Sequence, residues 1–116
     1  QGAPKQIIDV TDIRDLDLSA LALDTFQHGT LTLRAEPALV LELTMDETKQ
    51  LLCLENDELG IDVFSPTREA LLAELHEQVG MLWREYAQSP DEELDARARL
   101  LKQALLARFS EVTHAA

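Results

Sequence analysis

The hydrophobic period of this chain changes at Ser65-Pro66, and that switch limits the possible folds more than any other feature. Before it, apolar residues alternate with polar ones. In "TLTLRAE", residues 30–36, Leu31, Leu33 and Ala35 share one face and Thr30, Thr32 and Arg34 the other. Pro37 is expected to end this strand, because it has no N–H to donate to a ladder. In "LVLELTM", residues 39–45, Leu39, Leu41, Leu43 and Met45 point one way and Glu42 and Thr44 the other, the pattern of a half-buried strand. "DETK" (46–49) is a hairpin connection to "QLLCLEN" (50–56), and "ENDELG" offers Gly60 for a second turn before "IDVFS" (61–65). Short strands separated by tight polar turns make an antiparallel meander. Residues 7–28 are the least legible, with Ile7, Ile8 and Val10 suggesting one more short strand.

After the switch the spacing is helical. Ser65 reads as an N-cap with Pro66 at the first helical position. Leu72, Leu75, Val79, Leu82 and Tyr86 then recur every three or four residues, flanked by Leu71 and Trp83, which predicts a helix of about six turns with a wide apolar face. Gly80 inside it costs about 1 kcal/mol against Ala, and marks either the close approach of another backbone or room for a ring such as Trp83. Ser89, Pro90 and Glu92 form a second start signal, a capping box, ahead of Leu94, Ala98, Leu101, Leu105 and Phe109. The expected architecture is α+β: an antiparallel β-meander of three to four strands with two C-terminal amphipathic helices packed on one face. Leu41, Leu43, Leu75, Val79, Leu82, Trp83, Tyr86, Leu101 and Leu105 are its expected core. Thr30, Thr32, Arg34, Glu42 and Thr44 would decorate the uncovered face, whose polarity suits a solvated antiparallel sheet.

At 116 residues, 46% of them apolar, the chain suits a single domain. Gln1-Gly2 reads as the remnant of a purification tag, leaving 3–116 as that domain. No basic-then-apolar leader and no apolar run of membrane-spanning length is visible. The lone Cys53 can form no internal disulfide, which fits a reducing, cytoplasmic setting. The net charge of −12 speaks against direct binding to nucleic acid or to anionic membranes, both of which depend on Lys and Arg. It would steer in a basic protein. Residues 96–116 invert the sign locally, with Arg97, Arg99, Lys102 and Arg108 against Glu111, which reads either as a basic recognition strip or, the favoured reading, as one helix with acids in its first turns and bases in its last.

Nothing spells out a catalytic centre. His28, His76 and His114 are far apart, and His76-Glu77 lacks the second His of a zinc-protease helix. His76 reads as a half-buried structural histidine, and Cys53 as a small apolar residue within a strand. No glycine-rich phosphate loop or Gly-x-Ser-x-Gly elbow is present. Glu42 and Asp62 could face each other across strands and hold a magnesium ion, but oxygen-only sites need more ligands than two. The expectation is therefore no enzyme, no cofactor and no metal. Trp83 and Tyr86, the only Trp and the only Tyr, are three apart and read as core at a helix corner, with a partner-binding anchor as the alternative.

The run of strands followed by "NDELGIDVFSPTREALLAELHEQV" resembles the HicB-like antitoxin module over about residues 30–86. "NDELGI" (56–61) stands at that family's turn, and "SPTREAL" (65–71) at its helix start, with Thr67, Glu69 and Ala70 in register. The prolines of the family's turn and the glycine before Thr67 are missing, and its C-terminal DNA-binding unit has no counterpart. The resemblance implies a partial RNase H-like fold without catalytic carboxylates, and a small basic ribonuclease toxin as partner. Together with the charge it points to a protein-binding inhibitor that uses Asp57, Glu58, Asp62 and Glu42. The competing reading is a self-associating or scaffolding domain, a homodimer, whose acids serve solubility alone.

Overall fold

The computed structural model describes residues 18–112; the suggested strand at Ile7–Val10 lies outside them. Six strands and two main helices follow in the order β1 (Leu21–His28), β2 (Leu31–Leu41), β3 (Leu43–Met45), β4 (Leu52–Asn56), β5 (Ile61–Ser65), α1 (Arg68–Leu82), α2 (Ala96–Arg108) and β6 (Phe109–Glu111). The chain is α+β, with two antiparallel three-stranded sheets ordered β1-β2-β6 and β3-β4-β5. Only Glu42 separates β2 from β3, so one nearly continuous extended stretch serves both sheets. The expected meander is thus divided, and it gains β1 from the poorly legible segment and β6 from the end of the second predicted helix.

Pro37 does not end its strand. Ala35 to Ala38 lie opposite the single residue Asp24, between the pairs Thr25↔Arg34 and Leu23↔Leu39. This bulge places the missing N–H where no ladder bond is due. Thr32 differs from expectation as well. It is buried, its hydroxyl accepting from Gln27 Nε2 at 3.4 Å and its carbonyl from the Val112 N–H at 2.9 Å.

The turns follow side-chain chemistry. Gly29, with φ +65°, begins the two-residue β1–β2 turn, which needs a positive φ. In the β3–β4 turn the Asp46 carboxylate accepts from the N–H groups of Gln50 (2.9 Å) and Leu51 (2.8 Å) and from the Thr48 hydroxyl. In the β4–β5 turn Asn56 Oδ1 accepts from the Leu59 N–H at 3.0 Å, and Leu59 is driven fully into the core.

Both helix starts fall later than their sequence signals. Ser65 pairs with Leu52 as the last residue of β5 and is buried, so the cap of α1 passes to Thr67, whose hydroxyl accepts from the Ala70 N–H at 3.1 Å. Ser89 instead donates its hydroxyl to the Glu85 carbonyl at 2.6 Å. A short 3-10 turn, Asp91–Glu93, follows, held by Lys102, whose ammonium meets the Ser89 carbonyl (2.7 Å) and Asp91 (2.8 Å). The cap of α2 is Asp95, accepting from the Ala98 N–H at 2.8 Å. Phe109, expected on the second helix, instead opens β6 opposite Ala35.

α1 packs on both sheets through Leu71, Leu75, Val79 and Gly80. Leu41, Leu43, Leu75, Val79, Trp83 and Leu105 are buried, while Leu82, Tyr86 and Leu101 pack half-buried against them. Past Leu82 the helix widens into a π-turn, Trp83–Ala87, where the Gln88 N–H reaches the Trp83 carbonyl at 3.0 Å. That turn buries Trp83 and lets its ring N–H donate to Glu111 of β6 at 2.8 Å. Phe26 links the layers, tilted against His76 at 5.4 Å and edge-on to Phe109 at 5.5 Å.

Candidate functional site

Among the described residues, α1 covers one side of the β3-β4-β5 sheet and no helix lies on the other. Alternation along the strands turns Leu43, Leu52, Leu54, Ile61 and Val63 inward and their neighbours outward. The register sets those neighbours in rows. Thr44 pairs with Cys53 and Cys53 with Phe64. Glu55 pairs with Asp62, and Glu42, one residue before the Leu43–Leu54 pair, falls beside Glu55. A row of three carboxylates therefore crosses the face next to a row ending in Phe64, which is 60% exposed. Val40, 62% exposed, lies two residues before Glu42. No Lys, Arg or His occurs in these three strands.

This row has the charge of a metal site without its geometry. Among the described residues no group of three or more His, Cys, Asp or Glu side chains is placed to hold a metal ion. Cys53 gains no reactivity there. Partial burial, and then the negative field of Asp46, Glu55 and Asp62, raises its thiol above the usual value, whereas a nucleophilic thiol needs the opposite shift. His76 is neutral in character: burial lowers its pKa, and its Nδ1 accepts from the Gln27 N–H at 3.0 Å.

The four acids singled out in the sequence separate into two places. Glu42 and Asp62 lie on the bare sheet face. Asp57 and Glu58 belong to the β4–β5 turn and form one wall of an open groove of about 720 Å³, whose other wall includes Tyr86, Leu100 and Leu101. A smaller groove of about 350 Å³ runs between β5 and α1, lined by Asp62, Phe64, Glu74, Glu77, Gln78 and Met81. Sequence reasoning passed over Glu55, Phe64, Gln78 and Met81. The first two were visible as the outward residues of "LCLEN" and "IDVFS". The other two were not, because a helix pattern does not tell which strand edge lies beside it.

Compared with known protein families, curated proteins and solved structures, the chain matches none. Among the described residues, no helix is long and apolar enough to cross a membrane.

Proposed function

We propose that this chain is a non-catalytic protein-binding module, an antitoxin-like inhibitor of a small basic ribonuclease, acting in the cytoplasm. The observation that carries the reading is the Glu42–Glu55–Asp62 row on an uncovered sheet face, beside the exposed Phe64 and with no base in its strands. Such a face has what a basic partner needs: a negative field for steering, and an aromatic anchor whose burial adds affinity. A ribonuclease surface that normally grips phosphate is positively charged, so covering it would both bind and inhibit.

The test is an RNA-cleavage assay with a small basic ribonuclease encoded beside this chain in its host. Stoichiometric amounts of the chain should suppress cleavage. Suppression should weaken as salt rises, and should be lost when Glu42, Glu55 and Asp62 are all changed to Lys. Full activity of the ribonuclease in the presence of the unaltered chain would refute the proposal.

A further inference from the structure

Among the described residues β5 is the last strand of its sheet, and one side chain bonds its outer edge. Gln78 of α1 accepts from the Asp62 N–H at 2.7 Å and donates to the Asp62 carbonyl at 3.3 Å. The peptide groups of Asp62 therefore face away from β4. By the two-residue repeat of an antiparallel strand, those of Phe64 face the same way. The Gln78 amide offers one donor and one acceptor at one residue, much as a neighbouring strand would. On the opposite side of the same helix His76 does half as much for β1, accepting the Gln27 N–H. Edge strands left bare invite pairing, and a covering side chain is one way to limit it.

We propose that the β5 edge is a strand-addition site, which takes an extended basic segment of the partner protein in place of Gln78. This deepens the protein-binding role and rests on it. Replacing Gln78 costs little, because one amide is exchanged for another, and Phe64 gains partners for outward groups that bond none of the described residues. The adjoining groove fits such a segment. On the uncovered face Phe64 (60% exposed) supplies an apolar wall for every second side chain. On the α1 side Glu74 and Glu77 supply negative charge for the side chains between, Asp62 adds to the field from the strand itself, and no base is among the described residues that line the groove. That charge argues against a second copy of this chain as occupant, since symmetric pairing would bring two sets of the same acids together. The fitting occupant is a short strand alternating Lys or Arg with Val, Ile or Leu.

The probe is a labelled nonapeptide of alternating Lys and Val, compared with the same peptide N-methylated at every residue, which keeps charge and side chains but removes the backbone donors. Fluorescence anisotropy on the full chain should show at least about tenfold weaker binding of the methylated form, the equivalent of about 1.4 kcal/mol. Saturation with the plain peptide should slow hydrogen exchange at the Phe64 amide. Gln78→Ala should tighten binding of the plain peptide severalfold. Phe64→Pro should weaken it about tenfold, and Pro is tolerated where the N–H faces outward. Should Phe64→Pro fail to fold, the peptide pair and the exchange rate still decide. Equal affinity for the two peptides would overturn the edge site while leaving the acidic-face reading intact. Binding of neither would overturn both. A homodimer in sedimentation with the Phe64 amide protected before peptide is added would overturn the choice of occupant.

Discussion

Gly80 is the position where helix propensity and packing oppose each other most sharply. In an exposed helix interior, Gly→Ala stabilises by about 1 kcal/mol. Here a Cβ added at Gly80 would lie 2.5 Å from the Cβ of His28, 2.6 Å from its Nδ1 and 2.8 Å from its Cγ. The nearest of these atoms is one bond from the β1 backbone, so rotating the ring does not relieve the contact. The ring is also held from the other side: Arg84 Nη1 donates to Nδ1 at 2.6 Å and Nη2 to the His28 carbonyl at 3.0 Å. Overpacking of this kind costs about 1–3 kcal/mol, and a clash at a Cβ belongs near the upper end. After the propensity gain, Gly80→Ala should destabilise by about 2 kcal/mol. With about 4–8 °C lost per kcal/mol in a domain of this size, the melting temperature should fall by about 10 °C. Urea unfolding followed by the single Trp83, buried three residues away, is the assay. His28→Ala keeps the offending Cβ and should rescue Gly80→Ala only in part. His28→Gly removes it, so a double-mutant cycle with His28→Gly should show a coupling above about 1 kcal/mol. A Gly80→Ala protein more stable than the original by about 1 kcal/mol would mean that α1 and β1 do not approach as described.

Three further outcomes are expected. Burial lowers the pKa of His76 from the usual 6.5, so the unfolded chain takes up a proton there before the folded one does; stability should be fully present above about pH 6.5 and fall as the pH drops below it, a slope that His76→Asn should flatten in pH-dependent urea titrations. Alkylation of Cys53 by iodoacetamide at pH 8 should be slower than that of a free thiol, and Glu55→Gln with Asp62→Asn should speed it about two- to threefold by weakening the negative field. Leu59→Ala, at a fully buried turn residue, should cost about 2–5 kcal/mol, whereas Leu100→Ala, 66% exposed, should stay within about 0.5 kcal/mol, both read from thermal unfolding.

The sequence made legible what depends on local periodicity. The alternation in residues 39–45 put Leu39, Leu41 and Leu43 inside, and the three-to-four spacing found α1. It misplaced what depends on tertiary competition. Ser65-Pro66 has the chemistry of a helix start, but Ser65 is worth more as the partner of Leu52 in the ladder, and Thr67 takes over the cap. Ser89-Pro90 carries the same signal, yet Lys102 bonds the Ser89 carbonyl and Asp91 and fixes a 3-10 turn where a helix would begin. Pro37 looked like a terminator because nothing in its own segment reveals the bulge opposite Asp24. Half of the candidate surface was visible as outward strand residues. The rest depends on α1 lying along β5, a relation that no local pattern encodes.

That relation also explains why one helix bears on both stability and binding. Residues two apart on a helix point to nearly opposite sides, so His76 and Gln78 reach different strands: His76 the Gln27 N–H of β1, Gln78 both peptide groups of Asp62 in β5. The two contacts are unequal in what their loss would do. His76 is half-buried against Phe26, so releasing β1 would open the core along the chain of rings that ends at Phe109. Gln78 is half-buried too, but it lines an open groove walled by acids and by Phe64 and touches no core ring, so releasing β5 uncovers an edge and not the core. Of the two sides of α1, only the β5 side can exchange its partner without disturbing the core, and that is the side on which the carboxylates and the exposed aromatic ring lie.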